Sequence, residues 1–140
     1  MKSEPASVWL RLLAGLYDLL PLLGLWFFAG AIALGVAGGA LEAHVTERKL
    51  LTQLLLLVFT AGYFVISWSR GGQTIGMRAW RLRVVGADDA PLRWPRALLR
   101  FIVSLISLAA LGIGFLWGLF DSQKRTWHDI AAGTLLVRQR

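Results

Sequence analysis

The sequence predicts an all-α membrane protein with three hydrophobic helical segments, and three observations carry that prediction. The 140-residue chain is 56% hydrophobic and only 16% charged, too few charges to coat a soluble domain of this size. Its mean hydropathy is +0.60. Three runs carry no charge at all: Leu19 to Leu41 over 23 residues, and Leu50 to Ser69 and Phe101 to Phe120 over 20 residues each. A helix needs about 20 residues to cross a bilayer. The runs are continuous rather than alternating, which excludes the strands of a membrane barrel.

The whole chain, 1–140, reads as one membrane domain. Its spans fall at roughly 8–39, 50–69 and 96–120, with a loop at 70–95 and an interfacial segment at 121–140. The first span begins near Val8, after a short polar leader, and its apolar part ends at Gly38-Gly39 and Glu42. Arg11 and Asp18 interrupt the N-terminal apolar stretch, which is too long for a signal peptide and offers no small-residue cleavage site, so it reads as a retained helix. A turn carrying Glu42, His44, Glu47, Arg48 and Lys49 leads to the second span, which runs to Trp68.

In the loop, Gly71-Gly72 breaks the helix and Gln73-Thr74 is placed to cap a short helix lying along the headgroups. Arg81 to Val85 alternates basic and apolar side chains, a strand signal. Gly86 to Pro91, with Asp88 and Asp89, has turn chemistry, and Leu92-Arg93-Trp94 is the candidate return strand of a β-hairpin. Pro95 suits the first turn of the third segment. After Phe120, a polar knot from Asp121 to Asp129 precedes Ile130 to Val137, too short to span. Trp9, Trp68, Trp94, Trp117 and Trp127 fall near span ends, as an interfacial aromatic belt requires, whereas Trp26 and Trp80 do not.

The net charge is +7. The arginines flank apolar runs and no soluble scaffold presents them, so they are read as topology determinants and not as a nucleic-acid surface. If all three runs cross the bilayer, the Lys and Arg residues divide nine to six between its two sides. If the third run breaks near Gly112-Ile113-Gly114 and returns, they divide thirteen to two. The larger asymmetry favours a re-entrant third segment, with the N-terminus and the arginine-rich loop on the cytoplasmic side of the inner membrane.

Cysteine is absent, which excludes thiol and iron–sulfur chemistry. The two histidines, His44 and His128, lie outside the spans, so a haem held between helices has no ligand pair. The chain is expected to be no enzyme and to hold neither metal nor cofactor.

Chemistry concentrates in the first span. A carboxylate at depth costs a few kcal/mol and calls for a partner or a use, which singles out Asp18. Arg11 stands seven residues earlier on the same helical face, about 10 Å away in rise and too far for a direct ion pair. Pro21 lacks an N–H and leaves the carbonyl of Tyr17 without its helical donor, a polar backbone site beside the carboxylate. Gln53, Thr60, Tyr63 and Ser67 on the second span, with Ser104 and Ser107 on the third, are candidate partners. A structural network and an ion site both fit. Ala31, Gly35 and Gly39, and likewise Gly114 and Gly118, form small-residue stripes that permit close helix contact.

Four ordered motifs resemble the RDD family of small membrane proteins: Arg11-Leu-Leu-Ala-Gly-Leu-Tyr-Asp18; Gly72-Gln-Thr-Ile-Gly76-Met-Arg78 leading into Leu82-Arg-Val-Val85; Arg96-Ala-Leu-Leu-Arg100; and Arg125-Thr-Trp-His128-Asp129-Ile-Ala-Ala-Gly133-Thr134. The resemblance assigns the naming arginine and aspartates to Arg11, Asp18 and Asp129. Met77 replaces the lysine often found there, with Arg78 next to it. What the resemblance implies is a few-helix membrane domain, with transport, including cation–proton exchange, as one expectation. Asp18 would then alternate between proton and cation, with Arg11 gating and Asp129 folding back to pair with Arg11 or a loop arginine. Three helices are too few to enclose a pathway, so transport requires a homo-oligomer. The competing expectation is a membrane scaffold or assembly partner in which these residues hold the fold. Contact of Arg78, Arg81, Arg83, Arg93 and Arg96 with anionic lipid is a further expectation.

Overall fold

The structure is a computed structural model that describes residues 4–36, 45–88 and 90–139. The expected end of the first span at Gly38-Gly39, the turn residues Glu42 and His44, and Asp89 lie outside the described residues, as does Gly39 of the small-residue stripe. In chain order the elements are β1 (Glu4–Pro5), α1 (Val8–Val36), α2 (Val45–Gly71), α3 (Ile75–Ala79), β2 (Leu82–Gly86), α4 (Trp94–Ala109), α5 (Ile113–Leu116) continued by a 3-10 turn (Trp117–Leu119), α6 (Trp127–Ala132) and β3 (Thr134–Arg138).

α1 and α2 are each long and apolar enough to cross a bilayer, and they pack on one another as a hairpin. Small residues, Ala29 and Ala33, fill the buried stripe of α1 beyond Asp18 and Leu22. Trp26 Nε1 donates to Thr60 Oγ1 across the pair at 2.8 Å, and Thr60 itself donates back to Leu56 O. Most of the remaining α1 side chains are exposed, and those of α2 are exposed or half-buried. Pro21 sits inside α1 without ending it.

The third segment is not one straight span. α4 has 16 residues, which at 1.5 Å per residue rises only about 24 Å, short of the ~30 Å hydrocarbon core. The chain then bends by 108° into α5 and its 3-10 extension. The bend is built from Leu111 (φ 57°) and Gly112 (φ 78°), consecutive residues in the left-handed region. A glycine adopts that conformation without strain, and the exposed Leu111 rides at the tip.

A three-stranded sheet fixes which ends meet. Its order is β1-β3-β2, antiparallel throughout. β1 feeds the start of α1, β2 follows the end of α2, and β3 lies at the end of the chain. All three lie in one sheet on one side of the helices, so the chain between β2 and β3 must return to the side it left. That is the physical reason for the 108° bend. Backbone at depth outside a regular helix is tolerated where protein covers it.

The strand expected around Arg81 to Val85 is present as β2. Its partner is β3, in the register Leu82↔Arg138 to Gly86↔Thr134, and Trp94 opens α4 instead of closing a hairpin. Apolar side chains from this layer make the core: Leu82, Val84 and Leu136 from the sheet, Met77 from α3, Trp68 from α2, and Ala97 and Phe101 from α4. Trp68 is therefore a core residue, 5% exposed, and not part of the aromatic belt, whereas Trp9 and Trp94 are exposed as the belt requires.

Because the chain has no cysteine, single replacements report sidedness cleanly. Ser122→Cys, in the connection after the 3-10 turn, and Gln139→Cys, after β3, should label from the same face of sealed vesicles. Thr46→Cys, at the far end of α2, should label from the opposite face. Labelling of positions 122 and 139 from different faces would contradict the re-entrant course.

Candidate functional site

The polar side chains of α1 lead to two centres, one built around each aspartate. Asp18 lies on the buried stripe of α1, one turn beyond Ala14, and is 2% exposed. Its Oδ1 accepts from the Tyr63 hydroxyl at 2.7 Å and from the Gly76 N–H at 2.7 Å, and its Oδ2 accepts from the Thr74 hydroxyl at 2.6 Å. The Thr74 Oγ1 also takes the Met77 N–H as the N-cap of α3, and the Tyr63 hydroxyl takes the Ile75 N–H. Asp18 thus gathers the first turn of α3 onto α1 and α2. A carboxylate has about four acceptor positions, and protein donors fill three of them here.

Gly76 permits the approach. A Cβ at that position would overlap the Ala14 carbonyl oxygen and lie 2.9 Å from Asp18 Cγ. A side chain there would lift α3 off α1 and break the hydrogen bonds to Asp18.

The second centre surrounds Asp129, at the third position of α6 and 0% exposed. Arg11 Nη1 donates to its Oδ2 at 2.6 Å, and Arg100 Nη1 is in very close contact with its Oδ1. The Thr126 N–H and hydroxyl also donate to Oδ2, at 3.1 and 3.0 Å. The remaining arginine donors tie in neighbouring segments: Arg11 Nη2 reaches Lys124 O at 2.8 Å, and Arg100 Nη1 reaches Thr134 Oγ1 at 2.8 Å. The Arg100 guanidinium also lies over the Trp68 ring, 4.9 Å from its centroid, a cation–π contact in a dry setting. One carboxylate therefore joins the start of α1, the middle of α4, α6 and the approach to β3.

Burial alone would push the Asp129 carboxyl up, but the Arg100 and Arg11 guanidiniums prevail and hold it below the usual carboxylate range. His128 beside it is held neutral. Burial is the main cause and neighbouring Arg100 adds to it, lowering its pKa from 6.5 to about 3. The His128 Nε2 lies 2.8 Å from Thr126 Oγ1, whose proton goes to Asp129. His128 must then carry its hydrogen on Nε2, leaving Nδ1 as a bare acceptor.

Of the residues singled out from the sequence, the structure brings Arg11, Asp129 and His128 together. Asp18 forms the neighbouring centre with Tyr63. Arg11 bonds to Asp129 and not to Asp18. Tyr17 points away, its ring edge against Trp80 at 5.8 Å. Gln53 is exposed towards the other end of α2, Thr60 belongs to the Trp26 contact, and Arg78 is exposed. Arg100, Thr74, Gly76 and Thr126 are site residues beyond those singled out from the sequence. Two of these had a signal. Arg100 is a cation placed directly against an uncharged run, and Thr126-x-x-Asp129 is the spacing of a helix capping box.

A two-helix hairpin, a bent third segment and a layer of buried charges gathered on two aspartates define a small α-helical integral membrane protein. The RDD family matches residues 5–133 of the chain, and the chain belongs to that family. Neither the curated proteins nor the solved structures contain a match to it.

The state of His128 gives a pH dependence with a definite sign. The folded state keeps it neutral down to about pH 3, whereas the unfolded chain takes up a proton below about 6.5. The unfolded state therefore binds more protons in that window, and stability falls as pH falls through it. The contribution of Asp129 is lost only at lower pH still, below its ordinary value of 3.8. Thermal unfolding in detergent should show a midpoint that drops between pH 6.5 and 4, and His128→Gln should flatten that slope. An unchanged slope in His128→Gln would contradict the neutral, buried imidazole.

Proposed function

We propose that the chain is a membrane-embedded assembly module, in which the signature residues lock the fold and do not carry a transported ion. The observation that carries this reading is the engagement of both Asp18 oxygens by three protein donors, Tyr63, Thr74 and Gly76. A cation taking that carboxylate would have to displace donors that also start α3, and each unsatisfied buried donor costs about 1–3 kcal/mol. Asp129 is likewise occupied, by two guanidiniums and Thr126. What the locked layer holds out is a hairpin whose apolar windows are barely covered, 17% buried for α1 and 0% for α2. That surface suits lateral contact with another membrane protein.

Charge supports an orientation. Among the described residues, eleven Lys and Arg side chains lie on or near the sheet side, against Arg48 and Lys49 at the other end of α2. By the positive-inside rule the sheet faces the cytoplasm of a cell whose inner membrane holds the hairpin.

The test is flux. Purified protein in sealed vesicles should show no proton movement driven by a sodium or potassium gradient. Asp18→Asn should lower the unfolding midpoint instead of altering a flux. Cation-coupled proton flux in the wild type, lost in a well-folded Asp18→Asn variant, would overturn the reading in favour of exchange.

A further inference from the structure

A cavity of about 400 Å³ lies beside α1, between it and α4. Both helices pack on α2 but scarcely touch one another. Its walls are apolar, with Leu12, Leu19 and Leu22 from α1, Phe64 from α2, Leu108 from α4, and Phe115. The volume falls within the ~300–1,000 Å³ of ordinary ligand sites. The cavity reaches from Leu22 and Leu108 to the side chains that surround Asp129.

That end is chemically distinct. Arg11, Trp68, Arg100 and His128 all line it; the last three are buried and the Arg11 side chain is 8% exposed. Arg11 Nε, Arg100 Nε and Trp68 Nε1 are buried donors with no acceptor, and His128 Nδ1 is a buried acceptor with no donor. Buried polar groups are normally paired, and four unpaired ones around one cavity call for an explanation. Charge is also unbalanced there. Two guanidiniums share the single Asp129 carboxylate and His128 is neutral, which leaves one positive charge. Asp18 lines the wall farther along α1, away from that end, where three neutral donors hold its carboxylate.

We infer that this cavity holds an anionic phospholipid, with one acyl chain between α1 and α4 and its phosphate against Arg11, Arg100 and Trp68. A headgroup hydroxyl supplies the donor for His128 Nδ1. The inference goes beyond the assembly reading and does not depend on it. It also assigns the lipid contact to buried arginines, and not to the exposed Arg78, Arg81, Arg83, Arg93 and Arg96.

The experiment is photo-crosslinking of the full chain in vesicles, with a diazirine on the acyl chain of phosphatidylglycerol or, separately, of phosphatidylcholine. With the phosphatidylglycerol probe, adducts should be several-fold enriched at Leu12, Leu108 and Phe115 over the lipid-facing Leu54 and Val58 of α2. The phosphatidylcholine probe should give no such enrichment. Gly15 lines the cavity, and a Cβ there would meet nothing within 4 Å, so Gly15→Phe should fill the space. It should reduce the enrichment to the level of α2 without lowering the unfolding midpoint. Equal enrichment with both headgroups, no enrichment, or enrichment that persists in a folded Gly15→Phe variant would overturn the inference. If that variant does not fold, competition of the wild-type signal by unlabelled phosphatidylglycerol but not by phosphatidylcholine decides the same question, and equal competition by both overturns it.

Discussion

Two arginines share one buried carboxylate, and the architecture follows from the need to keep them there. Taking charges out of water costs several kcal/mol per ion, repaid only when geometry and further hydrogen bonds are good. Asp129 meets that condition by accepting from Arg11, Arg100 and Thr126 together. Its partners are 118 and 29 residues away in sequence. Satisfying all of them brings the start of α1 and the end of the chain into one layer. The sheet, which pairs β1 and β2 to either side of β3, is the backbone expression of the same closure.

The re-entrant segment is a consequence. With β2 and β3 paired in one sheet, the chain between them must come back to the side it left, and α4 alone is shorter than a bilayer's hydrocarbon core. The bend at Leu111-Gly112 returns the chain to the level where Lys124 O meets Arg11. Asp18 then serves a parallel purpose nearer the hairpin, binding α3 and so the loop between α2 and β2. The two acidic centres divide the work: Asp18 seats the loop on the hairpin, and Asp129 seats the C-terminal elements on both.

Much of this was legible in the sequence because it rests on local composition. The apolar runs marked the two long helices, Gln73-Thr74 marked the start of α3, and the glycines after Leu111 marked the break. The positive charges on one side pointed to a return. What was not legible depends on distant contacts. Nothing near Asp18 announces that its donors come from Thr74 and Gly76, 56 and 58 residues on. The strand at Leu82 to Gly86 was visible in its alternation, but alternation does not name the partner, and β3 lies far along the chain. β1 is two residues long and has no period to detect. Tyr17 and Pro21 drew attention by adjacency to Asp18, yet helical geometry points the Tyr17 ring elsewhere. Arg100 was hidden among loop arginines whose number suggested topology alone.

Arg11 and Asp129 act as one unit across the length of the chain, and a double-mutant cycle measures their coupling directly. Unfolding of wild type, Arg11→Gln, Asp129→Asn and the double variant would be followed in one detergent. Residues in one buried network couple by about 0.5–3 kcal/mol, so the double variant should lose that much less stability than the two single losses together. Losses that add to within ~0.3–0.5 kcal/mol, as independent sites do, would contradict the account.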